Sequence, residues 1–530
     1  MKKHPFNNVA FVCMLILCTA LLVPSIQAAE PRYGGTLRIG VRVAQESVID
    51  VRYLHTVTTT PGAEMVYDRL YTWGEKGFET LIPNLVTSYQ TRDNKVWTLT
   101  LRKGVKFHNG REMTAEDVKT NFDWRIATPK GWKPVKNKEQ IKGLQKVDAV
   151  DRYTVRITLE RPFSSLIRCL GWVIRGIVPP EEVEKWGEQF AFHPSGTGPF
   201  KVVQVVPNEK YVLERFDGYW GPKPYVDRVE LIYYRSDEAR LLALEKGEID
   251  FAQLYDEAKP ALQKNPKLAY QELYDPSILH KHYFNMRRWP GSDLRFRKAV
   301  WMGADWKTIA INANAFKSGN PARTLLEYSK YFNPEAVKLV PSYNPEEAKK
   351  LIQAVEKDAG KKIPPIVWVD AAMPANKNLA EMAQLQLGQI GVPLNLQILS
   401  PALWQDKVVR DPKMDWDMGG YGLAFALDPS IGFAMFETNS GSAPDGKSLG
   451  AYSNPEFDQW VRKSEAAQTE EERARCYQEA EKVLLKDAAA IPLWPQRYVY
   501  AWNKKLQGIR LTDVCQINVT NIWANMWMEP

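Results

Sequence analysis

From Val96 to Leu101 the chain alternates, with Trp97, Leu99 and Leu101 on one face and Val96, Thr98 and Thr100 on the other. This two-residue period predicts a half-buried strand, entered through the turn Arg92 to Lys95. Thr114 then stands three residues before Asp117 in a capping-box pattern, and Val118, Phe122 and Ile126 recur at the spacing of a buried helical stripe. A helix of about three turns is predicted to follow.

Further along, the period switches repeatedly. Val229 to Tyr233 reads as a strand, Asp237 to Lys246 as a helix ended by Gly247, and Ile249 to Leu254 as a strand again. In the second half, Asn344 to Glu356 reads as a helix opening with Pro345, and Ile366 to Val369 as a strand. Asn376 to Ile390 follows as a helix and Leu394 to Leu399 as a strand. The alternation predicts an α/β protein. With 530 residues, 45% of them apolar, the chain exceeds one small core and predicts two or three lobes. No internal repeat interrupts this pattern.

The amino terminus adds a compartment. Lys2 and Lys3 precede an apolar run from Val9 to Val23, and the small residues near Ala28 and Ala29 complete the layout of a secretory leader cut after Ala28. An uncleaved membrane anchor is the competing reading. Cys18 follows Leu17, which does not suit lipoprotein cleavage, so no lipid anchor is expected and the mature protein is expected to be periplasmic. Of the later cysteines, Cys169, Cys476 and Cys515, two could form a disulfide, and their spacing matches no metal site. The net charge of +8 falls by two to +6 once Lys2 and Lys3 leave. With no basic run, it implies solubility and no nucleic-acid partner.

Candidate chemistry is sparse. GSAPDGKS at Gly441 to Ser448 spells a Walker A string, but no strand leads into it, no long helix follows it, and Pro444 removes an amide from the cradle. A surface loop is the better reading. His280 and His282 would share a strand face without close acidic partners, and no metal site is expected. Asp415 and Asp417 read as the polar face of a strand. GxSxG and HExxH motifs are both absent, so no catalytic residues are assigned, and a secreted hydrolase stays as an alternative. Aromatic residues are plentiful, with 18 Trp and 23 Tyr, mostly expected in the core.

LRKGVKFHNGREMTAEDVK at Leu101 to Lys119 resembles the signature of the family 5 extracellular solute-binding proteins of ABC importers, which include dipeptide, oligopeptide and nickel receptors. YGGTLRIG at Tyr33 to Gly40, GTGPFKVV at Gly196 to Val203 and FDGYWGPKPYVDRVEL at Phe216 to Leu231 extend the resemblance. YFNMRRWPGSDLRFRKAV and IPLWPQRYVYAWNKKLQGI carry it across the mature chain.

The resemblance implies a two-lobed type II periplasmic-binding-protein fold of the large cluster, with a ligand cleft between the lobes. Lobe I would comprise 30–75, 195–290 and 497–530, the inserted small domain 76–194, and lobe II 291–496, after a signal peptide at 1–28. The crossings would lie near Met286 to Pro290 and Pro495 to Tyr498. Such a protein captures a medium-sized organic solute, peptide-like, sugar-like or an organic acid. It delivers that solute unaltered to ABC permease transmembrane subunits driven by a cytoplasmic ATPase. A monomer without cofactor is expected, and a receptor of this fold used in signalling or chaperoning is a further alternative.

By the same resemblance, Trp404, Tyr421, Phe425 and Trp494 would stack on the ligand, and Gln45, Asn285, Arg287 and Arg497 would orient it. Peptide receptors of the family carry an aspartate for the ligand's amino terminus before the later Asp-Pro pair. Here Leu423, Ala424, Phe425 and Ala426 occupy that region, and Asp428 corresponds to the later acid. A buried ammonium without a partner costs several kcal/mol, so peptides with free amino termini are expected to be disfavoured.

Overall fold

The computed structural model describes residues 30–42, 49–53, 60–74, 77–130, 132, 141–173, 176–313, 321–424, 428–511 and 522–529. The expected leader at 1–28 therefore lies outside the described residues.

Val96–Leu101 is a strand, and its buried face is the one the alternation predicts: Trp97, Leu99 and Leu101. It lies between Val86–Thr91 and Thr154–Leu159 in a four-stranded antiparallel sheet. The helix Ala115–Ile126 starts at a formed capping box, with the Thr114 amide donating to Asp117 Oδ2 at 2.7 Å. Val118 and Phe122 are fully buried. Each such side chain contributes about 1.5–3 kcal/mol through removal from water, so the stripe rather than helix propensity holds this helix in place.

A ten-stranded sheet runs through the whole molecule. Its order is Leu394–Leu399, Ile366–Ala371, Met418–Ala424, Leu268–Phe284, Ala490–Asn503, Phe251–Leu254, Thr36–Arg42, Arg228–Tyr234, Lys210–Arg215 and Phe200–Val206. Leu268–Phe284 and Ala490–Asn503 are the long antiparallel pair at its centre. One end of that pair continues into Phe251–Leu254 and the other into Met418–Ala424.

The pair is broken in the middle. Its register shifts between Asp275 and Leu279 and again between His280 and Lys281, opposite Pro492 and Pro495. Proline has no amide hydrogen to give to a ladder, and position 276, within the first shift, is also proline, so the sheet has a weak line here. This break precedes the stretch Met286 to Pro290, where the resemblance implied the first crossing. On the partner strand the shifts lie between Pro492 and Gln496, beside the stretch Pro495 to Tyr498 named for the second crossing.

The buried apolar residues divide at the same line. One set of clusters draws on residues 37–273 and 498–526. The other draws on residues 279–494. Trp73 belongs to the first, and Trp368 and Trp416 to the second. The described part of 76–194 shares the first core instead of closing one of its own, with Leu99, Phe122 and Ile157 in the same cluster as Leu37 and Leu231.

Candidate functional site

At the break in the long strands lies a recess of about 770 Å³, solvent at its mouth included. Tyr255 and Asp256 reach it from the first half, just beyond the strand Phe251–Leu254. Asn312, Asn376 and Asn378 reach it from the second half, and His280, Trp494, Gln496 and Arg497 from the crossing strands. Ligands of α/β proteins bind at strand ends where the topology switches, and this recess has that position.

Local chemistry fixes each wall. Asn376 sits in the first turn of the helix Pro374–Gln389, and its Nδ2 donates to Asp370 Oδ1 at 2.9 Å and to the Ala371 carbonyl at 3.1 Å. The second oxygen of Asp370 lies 2.8 Å from His282 Nε2. A Cβ at Gly420 would meet that nitrogen at 2.6 Å, so the neighbouring strand needs glycine there.

His280 stacks beside Trp494 with ring centroids 5.7 Å apart, and its Nε2 lies 2.6 Å from Gln496 Oε1. Burial pushes the His280 pKa below the ordinary histidine value, and the Gln496 bond only partly opposes that. The ring is therefore neutral at pH 7 and serves as a polar wall. Arg497 forms an ion pair with Asp256 and lies 3.7 Å from Glu272, while Lys259 lies 3.4 Å from Asp256 and 3.1 Å from Glu272. These four charges pair with one another, so the recess offers a ligand carboxamides, an indole face and the exposed carboxylate of Glu257.

A second pocket of about 660 Å³ adjoins the first through Tyr255. It lies at the ends of the parallel strands Thr36–Arg42 and Phe251–Leu254 and is walled by Phe251, Tyr498, Tyr500 and Trp523. Arg42 donates to the Tyr255 hydroxyl, with its guanidinium 4.9 Å from the ring centroid. None of the described residues lining the recess is a Ser, Thr, Cys or Lys that could attack a bound molecule.

Of the residues singled out in the sequence, Trp494 and Arg497 come together in the recess. Asn285 does not line it: buried, it donates from Nδ2 to the carbonyls of Met414 at 3.0 Å and Trp416 at 2.9 Å. Arg287 is also engaged elsewhere, donating to both carboxylate oxygens of Asp445 and to the carbonyls of Ser448 and Leu449. It thereby pins the GSAPDGKS loop, whose Gly441 and Gly446 take positive φ in a closed turn. Trp404 packs in the second half's core with Val408 and Trp416. The Tyr421 backbone pairs with Lys281, while Gln45 and Phe425 lie outside the described residues.

Sequence reasoning missed Asp256, Asn376, Asn378 and Gln496. A polar first helical turn directly after a strand end was the available signal for the asparagines. Asp415 and Asp417 precede the strand Met418–Ala424 instead of forming its polar face. Asp415 pairs with Lys407, and Asp417 accepts from Val367 N and Arg288. Cys169 and Cys476 are buried and not joined to each other, and Cys515 lies outside the described residues. Among the described residues, no cluster of three His, Cys, Asp or Glu could hold a metal, and no helix is long and apolar enough to cross a membrane.

Comparison with known proteins agrees with this architecture. The family described as bacterial extracellular solute-binding proteins, family 5, middle, matches residues 80–444. Glutathione-binding protein GsiB of Pectobacterium atrosepticum is 28% identical over 447 residues, covering 81% of this chain and 83% of its own. GsiB of Salmonella typhimurium is 26% identical over 431 residues, covering 78% and 80%. Among solved structures, the periplasmic binding protein DppA of Helicobacter pylori with the peptide STSA superposes with a TM-score of 0.80 at 22% identity, over 94% of this chain and 99% of that one. The dipeptide-binding protein of Pseudoalteromonas sp. SM9913 with Met-Leu gives 0.80 at 21% identity, over 93% and 100%. AgaA of A. tumefacien R10 with agropinic acid gives 0.77 at 22%, over 94% and 99%. These structural likenesses establish a type II periplasmic-binding-protein fold. With the family match across the middle of the chain, they make this protein a member of family 5 of the bacterial extracellular solute-binding proteins, the solute-capturing components of ABC importers.

Proposed function

We propose that the protein binds a medium-sized polar solute in the recess between its halves and releases it unaltered to its permease. The observation that carries this reading is the origin of the walls: Asp256 comes from one half, Asn376 and Asn378 from the other, and Trp494, Gln496 and Arg497 from the strands that join them. A ligand touching all three favours the closed arrangement by its differential affinity for it. Pro276, Pro492 and Pro495 supply the hinge line, and the halves divide there, with 76–194 moving with the first. The reading includes a cleaved leader, a periplasmic monomer without a lipid anchor, and no chemical turnover.

Carboxamides and an indole face suit a ligand rich in amides or hydroxyls, of peptide-like, sugar-like or opine-like character. Asp256 is already paired with Arg497, whereas Glu257, which also lines the recess, is exposed and is the carboxylate open to a ligand ammonium. The names of the GsiB relatives make glutathione the first probe. Isothermal calorimetry with glutathione, short peptides and their N-acetyl forms, sugars and opines tests the reading, beside mass spectrometry of co-purified solute. A ligand at 100 times its dissociation constant adds about 2.7 kcal/mol of stability. A Trp494→Ala variant that binds the identified ligand as tightly as the wild type would remove the recess from the account.

A further inference from the structure

The halves also meet away from the recess, along a seam of buried charge. Lys142 of the first half is buried, with its Nζ 2.5 Å from Glu437 Oε2 and 2.7 Å from Glu465 Oε1 of the second. Arg161 Nη1 lies 3.5 Å from the other oxygen of Glu465. Around this cluster, the Ser164 amide donates to the Glu465 carbonyl at 2.8 Å and Ser165 Oγ to Asp428 Oδ2 at 3.0 Å. Asn94 Nδ2 donates to the Ala467 carbonyl at 3.0 Å. None of these residues lines either pocket of the cleft.

Burial alone would lower the Lys142 pKa, but the two carboxylates more than offset it, and its pKa stands above the ordinary lysine value. The cluster is thus held as ions. When the halves part, water can hydrate each member, so the intact set favours the closed form only modestly and can open reversibly. Removing one member is different. Without Lys142, Glu437 and Glu465 would be buried side by side in the closed form, while the open form would leave both hydrated.

We infer that this seam is a latch: Lys142 with Glu437 and Glu465 populates the closed arrangement without ligand, so residues that never touch the solute set part of its apparent affinity. The inference rests on the two-half reading given under the proposed function. Apparent dissociation constants scale inversely with the fraction of competent protein, which makes the latch a control on capture threshold.

The test uses the ligand-free protein, so it is independent of what the recess binds. Hydrogen exchange of peptides covering Ser164 and Glu465 is measured together with small-angle scattering for the wild type, Lys142→Ala and, from the opposite half, Glu437→Gln. The wild type should be protected at both peptides. Each variant that stays folded by circular dichroism should exchange there about ten-fold faster or more and show a larger radius of gyration. Should Lys142→Ala fail to fold, Glu437→Gln decides. Unprotected wild type, unchanged exchange in the variants, or faster exchange without expansion would each overturn the latch. Failure of glutathione and the rest of the panel to bind would count against the proposed ligand class while leaving this result standing.

Discussion

Two ion clusters of similar make-up, one at the recess and one away from it, differ in what they join. Asp256, Glu272 and Lys259 belong to the first half, and Arg497 to the first-half end of a joining strand, paired with Tyr274 before the break, so opening the molecule would leave their mutual distances unchanged. Lys142, Glu437 and Glu465 span both halves, so the same motion takes their cluster apart. The chemistry is shared, yet the first cluster sets the electrostatics of the recess and the second sets how often the recess is closed. An ion pair's functional meaning lies in which rigid bodies own its members, a property no single side chain carries.

Asp428 tests the contrast most severely because it serves both a seam and a core. Fully buried, it accepts from Ser165 Oγ across the seam and, within its own half, from Tyr477 OH at 2.7 Å and the Ser430 amide at 3.0 Å. Asp428→Ala should cost about 3–5 kcal/mol, the range for breaking a buried charged network, and should also open the seam. Urea denaturation measures the first effect and scattering the second. A loss below about 1 kcal/mol would place Asp428 among ordinary helix caps.

Glu481 sharpens the contrast from the other side, as a carboxylate buried within one half and held by a backbone donor. It accepts from the Leu326 amide at 2.7 Å, and burial raises its pKa from 4.5 to about 7. Asp68 in the first half is raised by burial in the same direction, to about 6. A carboxyl group whose folded pKa exceeds the unfolded one stabilises the fold below the unfolded value and loses that contribution as pH rises through the folded value. The protein should therefore lose about 3 kcal/mol between pH 4.5 and 7.5 through Glu481. Glu481→Gln should flatten that slope in thermal melts. An unchanged slope would assign it to other groups.

Arg497→Met should cost about 1–3 kcal/mol, the penalty for leaving a buried acceptor poorly paired, because Lys259 still faces Asp256 and Glu272. Unlike the seam variants, it should leave the radius of gyration unchanged. Expansion of the Arg497→Met protein would erase the distinction between the two clusters. Its second consequence is chemical: Asp256 loses its Arg497 partner, so a ligand ammonium gains a further acceptor beside Glu257 and peptides with free amino termini should bind more tightly than to the wild type.

What the sequence revealed follows the same division between local and non-local. Leu394–Leu399 and the helix Asp237–Lys246 have the bounds read from periodicity and from Gly247, which takes φ +73 as the helix stop. Val96–Leu101 and its following helix were equally legible, since alternation and the capping box are written within a few residues. The seventeen-residue strand Leu268–Phe284 was not, because its pairing partner lies more than two hundred residues away. Site residues suffered most. Asn285 finds its acceptors at Met414 and Trp416, and Lys142 meets Glu465 at a separation of 323 residues. Side-chain type alone could not tell an arginine that lines the recess, such as Arg497, from one fastening a loop, such as Arg287.

That last pair gives the smallest expected effect and the cleanest separation. Asp445 binds Arg287 through both oxygens, and this hydrogen bonding holds its pKa down at about 2. Its side chain remains 37% exposed, so solvent screens the pair. Asp445→Asn should cost only about 0.5 kcal/mol, chiefly visible above pH 4, since the ionised carboxylate's contribution disappears as pH falls through its folded value. Arg287 keeps its bonds to the carbonyls of Ser448 and Leu449 in this variant, so the loop should stay in place. Calorimetry with the identified solute should then give an unchanged dissociation constant. A change of about ten-fold or more would mean that freeing Arg287 from Asp445 alters solute capture, returning it to the ligand set the sequence suggested.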